Sequence, residues 1–406
     1  MTVKDAVNQF KTLNSYVITL GRMSFVELLF TDSIDAKLLC SQDGYALINE
    51  AKSIEITLSK FLNQKKRTIK WDKLTKSQIT ESIETHNFNL FLQLKDDYEK
   101  KCSSIVNSIY RNLKDDLLVI QLSGSIGTIS HLCDSKRKNK ITQKISSLDI
   151  QGNKFSKKVL DGPSKIKIDK VFTPSYNILE SQIPEFGEKL EEVVPYFWSL
   201  SLREILASEL CSLSIIEYDN LPLQFYWDFA KQSWDEARHS RIYLNLSTSL
   251  FEDLESQLMK ESNLYQIIKK YRLTNAGLQV PREKNMYEAI LNSQLEERLI
   301  LMNILTEAPA IGRLTRKLKM LICSKYPEIA RVFEFDKIDE TFHARIGNYW
   351  LKQLIPNSFD RRQKIEDTKL LRGILLLSSI SEYSDFKLSE MAENLINCKN
   401  QKHNTF

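Results

Sequence analysis

The sequence predicts an all-α protein, a four-helix bundle carrying an additional helical N-terminal domain. Three observations lead there. Of 406 residues only 11 are Gly and 9 are Pro, too few to punctuate many short strands. Apolar residues recur at three- and four-residue spacing over long segments, as in FNLFLQLKDDYEKKCSSIVNSIYRNLKDDLLVIQL. A Glu-x-x-His pattern occurs twice, each time inside such a segment.

At 42% hydrophobic and 27% charged, the chain has the balance of an ordinary globular protein rather than a disordered or membrane-embedded one. No stretch approaches the ~18 apolar residues of a membrane span. The start, MTVKDAVNQF, is acidic and polar where a signal peptide would be apolar, so a cytoplasmic location is expected. Six scattered Cys without a C-x-x-C pair read as reduced buried thiols, not as a disulfide framework or zinc knuckle. A net charge of +5 is too small to call for a nucleic-acid partner.

The length predicts two or three domains. Residues 1–145 read as the helical N-terminal domain, with periodic segments around 34–62 and 76–122. No chemistry stands out there. His86 and His131 are isolated and read as surface or packed histidines. Residues 146–180 read as a basic linker with Gly and Pro, including a short strand near 166–171. Residues 181–406 read as the bundle with a C-terminal helical extension. Its first helix, SLSLREILASELCSLSIIEY, ends in the turn Asp219-Asn220-Leu221-Pro222. The second is LPLQFYWDFAKQSWDEARHSRIYLNLSTSL. A third covers about 285–305, and a fourth holds FDKIDETFHARIGNYWLKQL.

The two histidine motifs are Asp235-Glu236-Ala237-Arg238-His239 and Asp339-Glu340-Thr341-Phe342-His343. Thirty Glu and five His in this length give about 0.4 Glu-x-x-His matches by chance, so two copies need a reason. Residues three apart on a helix share a face. Glu236 with His239, and Glu340 with His343, therefore each present a carboxylate and an imidazole together. Two such helices facing one another grip two metal ions, and a Glu from each of two further helices completes the site. The Asp before each Glu, Asp235 and Asp339, lies four residues before its His. It is expected to accept the ring N–H that does not bind metal.

That scheme asks for one Glu on the third helix and one on the first. Glu296 points inward between Leu299 and Ile300, while Glu297 is turned toward solvent. On the first helix two residues compete. Glu204 is as far before the 219–222 turn as Glu236 is after it, so antiparallel packing sets them level. Glu209 sits at the centre of the apolar arc of Leu202, Ile205, Leu206, Leu213 and Ile216. Register favours Glu204 as ligand, with Glu209 a buried acid beside the site or a competing ligand. Glu217 falls near the helix end, in solvent. Tyr243 is counted with Glu209, Asp235 and Asp339 among the neighbours of the ligands. Four ionised Glu and two neutral His balance two divalent cations; without cations the carboxylates would repel. Glu and His ligands without Cys suit Fe or Mn.

At these residues the chain resembles the ferritin-like di-iron carboxylate superfamily. Glu204-Ile205-Leu206-Ala207-Ser208 looks like its first ligand helix. PLQFYWDFAKQSWDEARHSRIY is similar to a bacterial ferritin-like family whose Pro-initiated helix carries W-D-E-A-R-H. LEERL and DETFHARIGNYW resemble the third and fourth helices of that family. The resemblance covers about 185–355. It implies Glu204, Glu236, His239, Glu296, Glu340 and His343 as metal ligands, the 245–285 stretch as the crossover of the fold, and an insertion around 306–333. It also implies two Fe ions, Mn being the alternative, with O₂ as cosubstrate. The expected function is an O₂-dependent oxidase or oxygenase acting on a small-molecule or carrier-bound substrate, with an external electron donor. The alternatives are a non-catalytic protein for iron or peroxide detoxification, a tRNA-modifying hydroxylase, and a helical interaction module without metal. A homodimer stays open.

Overall fold

In this computed structural model the described residues are 3–31, 34–62, 68–69, 71, 73–84, 88–113, 117–133, 185–255, 289–291 and 293–378. The expected linker 146–180, its strand, most of the crossover, His86 and the last 28 residues lie outside them. The fold is all-α. Helices α1 (Val3–Phe30), α2 (Ile34–Leu62), α3 (Lys73–Glu84), α4 (Phe88–Leu113) and α5 (Leu117–Leu132) come first. Two long helices follow, α6 (Leu190–Glu217) and α7 (Leu223–Glu255). After them come α8 (Leu295–Leu299), a π-helical segment (Ile300–Glu307), α9 (Ala308–Lys317), α10 (Leu321–Lys325), α11 (Pro327–Leu354) and α12 (Ser358–Ser378). Strands β1 (Thr68–Ile69) and β2 (Leu221–Pro222) form one two-residue antiparallel ladder. No described helix is long and apolar enough to cross a membrane.

The chain divides into two compact units, residues 1–172 with 205–241, and residues 173–204 with 242–406. In the first, α1 and α2 pack at small residues. A Cβ at Gly21 would lie 2.7 Å from Ile48, and one at Gly44 would lie 2.7 Å from the Phe25 ring. These contacts leave no room for a side chain, so the helices can approach only as Gly. Arg22 on α1 is buried and closes the C-terminus of α6. Its guanidinium donates to the carbonyls of Ile215, Ile216 and Tyr218 and to Asp219 Oδ1, satisfying groups that a helix end leaves open. Its plane lies 4.0 Å over the Trp71 ring. Asn220 then turns the chain with φ 66°, a left-handed conformation that Asn tolerates. The turn expected at 219–222 is therefore present.

Two contacts fix how α6 runs against α7. Ser208 Oγ donates to the Ser233 carbonyl at 2.8 Å, and Ser247 Oγ donates to the Val194 carbonyl at 2.6 Å. Both obey one antiparallel register, because fourteen residues separate the pair on either helix. In that register Glu204 falls level with residue 237, next to Glu236. Glu209 falls level with residue 232, about one turn away.

In the second unit, the stretch expected as an insertion at 306–333 is filled by the end of the π segment, α9, α10 and the start of α11. The Glu188 carboxylate accepts from the Leu321 and Ile322 amides at the start of α10. Pro327 opens α11 at its first position, where its missing N–H costs nothing. Phe197 packs between Tyr243 and Phe333, with ring centroids 5.4 and 5.5 Å away.

Candidate metal centre

The candidate ligands are set by α6, α7, the π segment and α11. Within each histidine motif the helical spacing does what the sequence implies. His239 Nδ1 lies 3.4 Å from Glu236 Oε2, and His343 Nδ1 lies 3.5 Å from Glu340 Oε2. Two groups of donor atoms result, each with all its atoms within 4.8 Å of one another. One is Glu204, Glu236, His239 and Glu340; the other is Glu236, Glu307 and His343. Glu236 belongs to both. All of these residues are buried except Glu204, which is half-buried. Gln232, one turn before Glu236, donates its amide to Glu236 Oε1 at 3.3 Å.

Of the six expected ligands, five are brought together and Glu296 is not. Glu296 is half-buried in the first turn of α8, where an acidic side chain suits the helix dipole. The third-helix carboxylate in the cluster is Glu307. The reason is axial. Asn303 Nδ2 donates to the His343 carbonyl at 3.0 Å, and Asn303 also meets Gly347. Glu307 lies with His343, so the π segment runs antiparallel to α11. Glu296 is then eleven residues too early, about 16 Å along the axis. On a regular α-helix eleven residues make close to three whole turns, so the sequence pattern sets both glutamates on one face and amphipathicity alone could not separate them. Glu297, read as outward, pairs with Lys364 at 2.5 Å.

The π segment itself had no sequence signal. Thr306 Oγ1 bonds the Leu301 carbonyl five residues back at 2.7 Å, and the Ala308 amide bonds the Asn303 carbonyl. This wider turn redirects the side chains at its end, a device common at functional sites.

The neighbours also differ from expectation. Glu209 is fully buried, but it pairs with Lys37 at 2.6 Å, and Lys37 Nζ also donates to the Leu28 carbonyl. Glu209 is in neither donor group. Asp235 is buried and pairs with Lys231 and Arg238 of its own helix. Asp339 is half-buried. A second buried acid on that helix, beside Glu340, is Asp336 one turn before it, a residue that no sequence pattern singled out. Its carboxylate accepts from the Tyr243 hydroxyl. Burial, with Asp336 and then Glu204 nearby, pushes the Tyr243 phenol well above its ordinary range. Tyr243 therefore keeps its proton and donates it. Trp234, beside the first histidine motif in sequence, stacks on Tyr45 with centroids 5.3 Å apart. Glu217 is buried rather than solvated, and His131 is exposed.

No family model, curated protein or solved structure matches the chain.

Proposed function

We propose that the chain is a non-haem di-metal carboxylate protein with a ferritin-like bundle, holding two Fe ions, or Fe with Mn. We further propose that it acts as an O₂-dependent oxidase or oxygenase on a small-molecule or carrier-bound substrate. One observation carries the reading: two donor groups share Glu236, each within 4.8 Å, and bring four carboxylates and two imidazoles together. The donor set fits the metals. Carboxylate oxygens and imidazole nitrogens without thiolate suit Fe or Mn. Four carboxylates balance two divalent cations, whereas a buried acidic cluster without cations is strongly disfavoured.

Glu204, Glu236, His239 and Glu340 would hold one ion, and Glu236, Glu307 and His343 the other. A pair of such ions supplies the electrons for reducing O₂ when bound. The protein's part is orientation and dryness. Gln232 steers one oxygen of Glu236. Asn303 holds the α11 backbone at His343. Tyr243 donates to Asp336, fixing the turn that precedes Glu340. The rings of Phe197, Phe333 and Tyr243 lie on the side of that turn and exclude water.

The test is metal analysis of protein purified without oxygen, followed by an O₂ pulse. Two Fe or Mn per chain are expected, with an O₂-dependent change in visible absorption and O₂ uptake. Glu236→Ala is expected to lose both ions. Substoichiometric metal in the wild type, or Glu236→Ala with full metal, would refute the reading.

A further inference from the structure

The outer face of α11 carries an apolar stripe that nothing described so far uses. Phe335, Ile338, Phe342 and Tyr349 fall at heptad spacing, with Arg345 at the remaining position. Phe335 is 60% exposed, Ile338 68% and Tyr349 52%, while Phe342 is half-buried. The opposite face of the same helix buries Phe333, Asp336, Glu340, His343 and Gly347. One exposed apolar residue is ordinary, but a line of them over two heptads has the pattern of a helix-pairing seam.

We propose that this stripe binds a second copy of the chain, α11 against α11, antiparallel about a two-fold axis near residue 340. The charges choose the occupant. The exposed acids Glu328 and Glu334 lie in the first half of the helix, and the exposed bases Arg345 and Lys352 lie in the second. Antiparallel pairing about residue 340 sets Glu328 against Lys352 of the second copy. It brings Glu334 beside Arg345 and sets Ile338 against Phe342. Arg331, the one exposed base in the acidic half, meets the ring of Tyr349. The two-fold axis makes every pairing occur twice. A parallel pairing would instead set like charges level. The surface is self-complementary in charge as well as in shape of sequence, which a partner of other chemistry would not require. This inference does not rest on the metal reading.

Sedimentation equilibrium of the full chain at tens of micromolar tests it. The expected mass is twice 47.3 kDa. Ile338→Asp is expected to weaken association at least ~100-fold, as loss of a central apolar anchor does, with helix content unchanged because the side chain is exposed. Orientation is read by cross-linking. A mixture of Glu328→Cys and Lys352→Cys chains is expected to form a covalent dimer under mild oxidation, and neither alone should. A monomeric wild type would overturn the proposal, including the case where another protein occupies the stripe. So would a dimer that survives Ile338→Asp, or one in which Glu328→Cys cross-links to itself. A melting temperature lowered by Ile338→Asp with no change in mass would mean the chain covers its own stripe, and would overturn it too.

Discussion

Glu204 and Glu209 stand five residues apart on α6 and do different work. Glu204 lies in one of the two groups that could hold an ion, whereas Glu209 is sealed against Lys37 with neither side chain exposed. Removing one partner of a buried ion pair leaves an uncompensated charge and costs about 3–5 kcal/mol. Glu209→Ala is therefore expected to lower stability by about that amount in urea titrations. The double variant Lys37→Met with Glu209→Leu, which removes both charges, is expected to regain stability and keep both metals. Glu204→Ala is expected to cost little stability, since it thins a crowd of like charges, but to lose metal. Loss of metal from the double variant would reverse the two roles. Two different sequence tests, apolar surroundings and register, nominate these two glutamates. Register selects the donor because a ligand must sit at one level along the helix, whereas an apolar arc tells only direction.

Among the elements, the π segment decides which third-helix glutamate reaches the centre. Its close approach to α11 depends on Gly347, where a Cβ would sit 2.2 Å from Asn303 Cβ. Gly347→Ala must push the two apart. The expected cost is ~1–3 kcal/mol, together with weaker metal retention, because Glu307 and His343 separate. Gly312→Ala on α9 is the control. Its nearest neighbour is Arg316 at 3.8 Å, so the change is expected to be neutral or stabilising by up to ~1 kcal/mol. Equal behaviour of the two variants in thermal melts and metal analysis would show that the close approach does not matter. This element marks where the sequence stops being readable. The α6–turn–α7 hairpin was legible, because Asp219-Asn220-Leu221-Pro222 punctuates two long periodic segments. The π segment was not, because ILMNILTE is as apolar as an ordinary buried helix and its wider turn leaves no periodic trace. Asp336 was missed for a related reason. It pairs with Tyr243 from another helix, and cross-helix partners have no fixed offset in sequence.

At the scale of the molecule, the N-terminal helices are not set aside from the rest of the chain. They share a compact unit with residues 205–241, which include Glu236 and His239. Arg22 and Lys37 show how, one closing the end of α6 and the other neutralising Glu209 within it. A sequence divided at residues 145 and 181 carries no sign of either pairing, since both join residues more than 170 positions apart. Both long helices contribute residues to both units.

The most direct measurement is anomalous diffraction from crystals of the full chain loaded with Fe or Mn, collected at the metal edge. Two adjacent peaks are expected, both touching Glu236. One should contact Glu204, His239 and Glu340, and the other Glu307 and His343. A single peak, peaks at Glu209 or Glu296, or no metal on Glu236 would contradict the assignment.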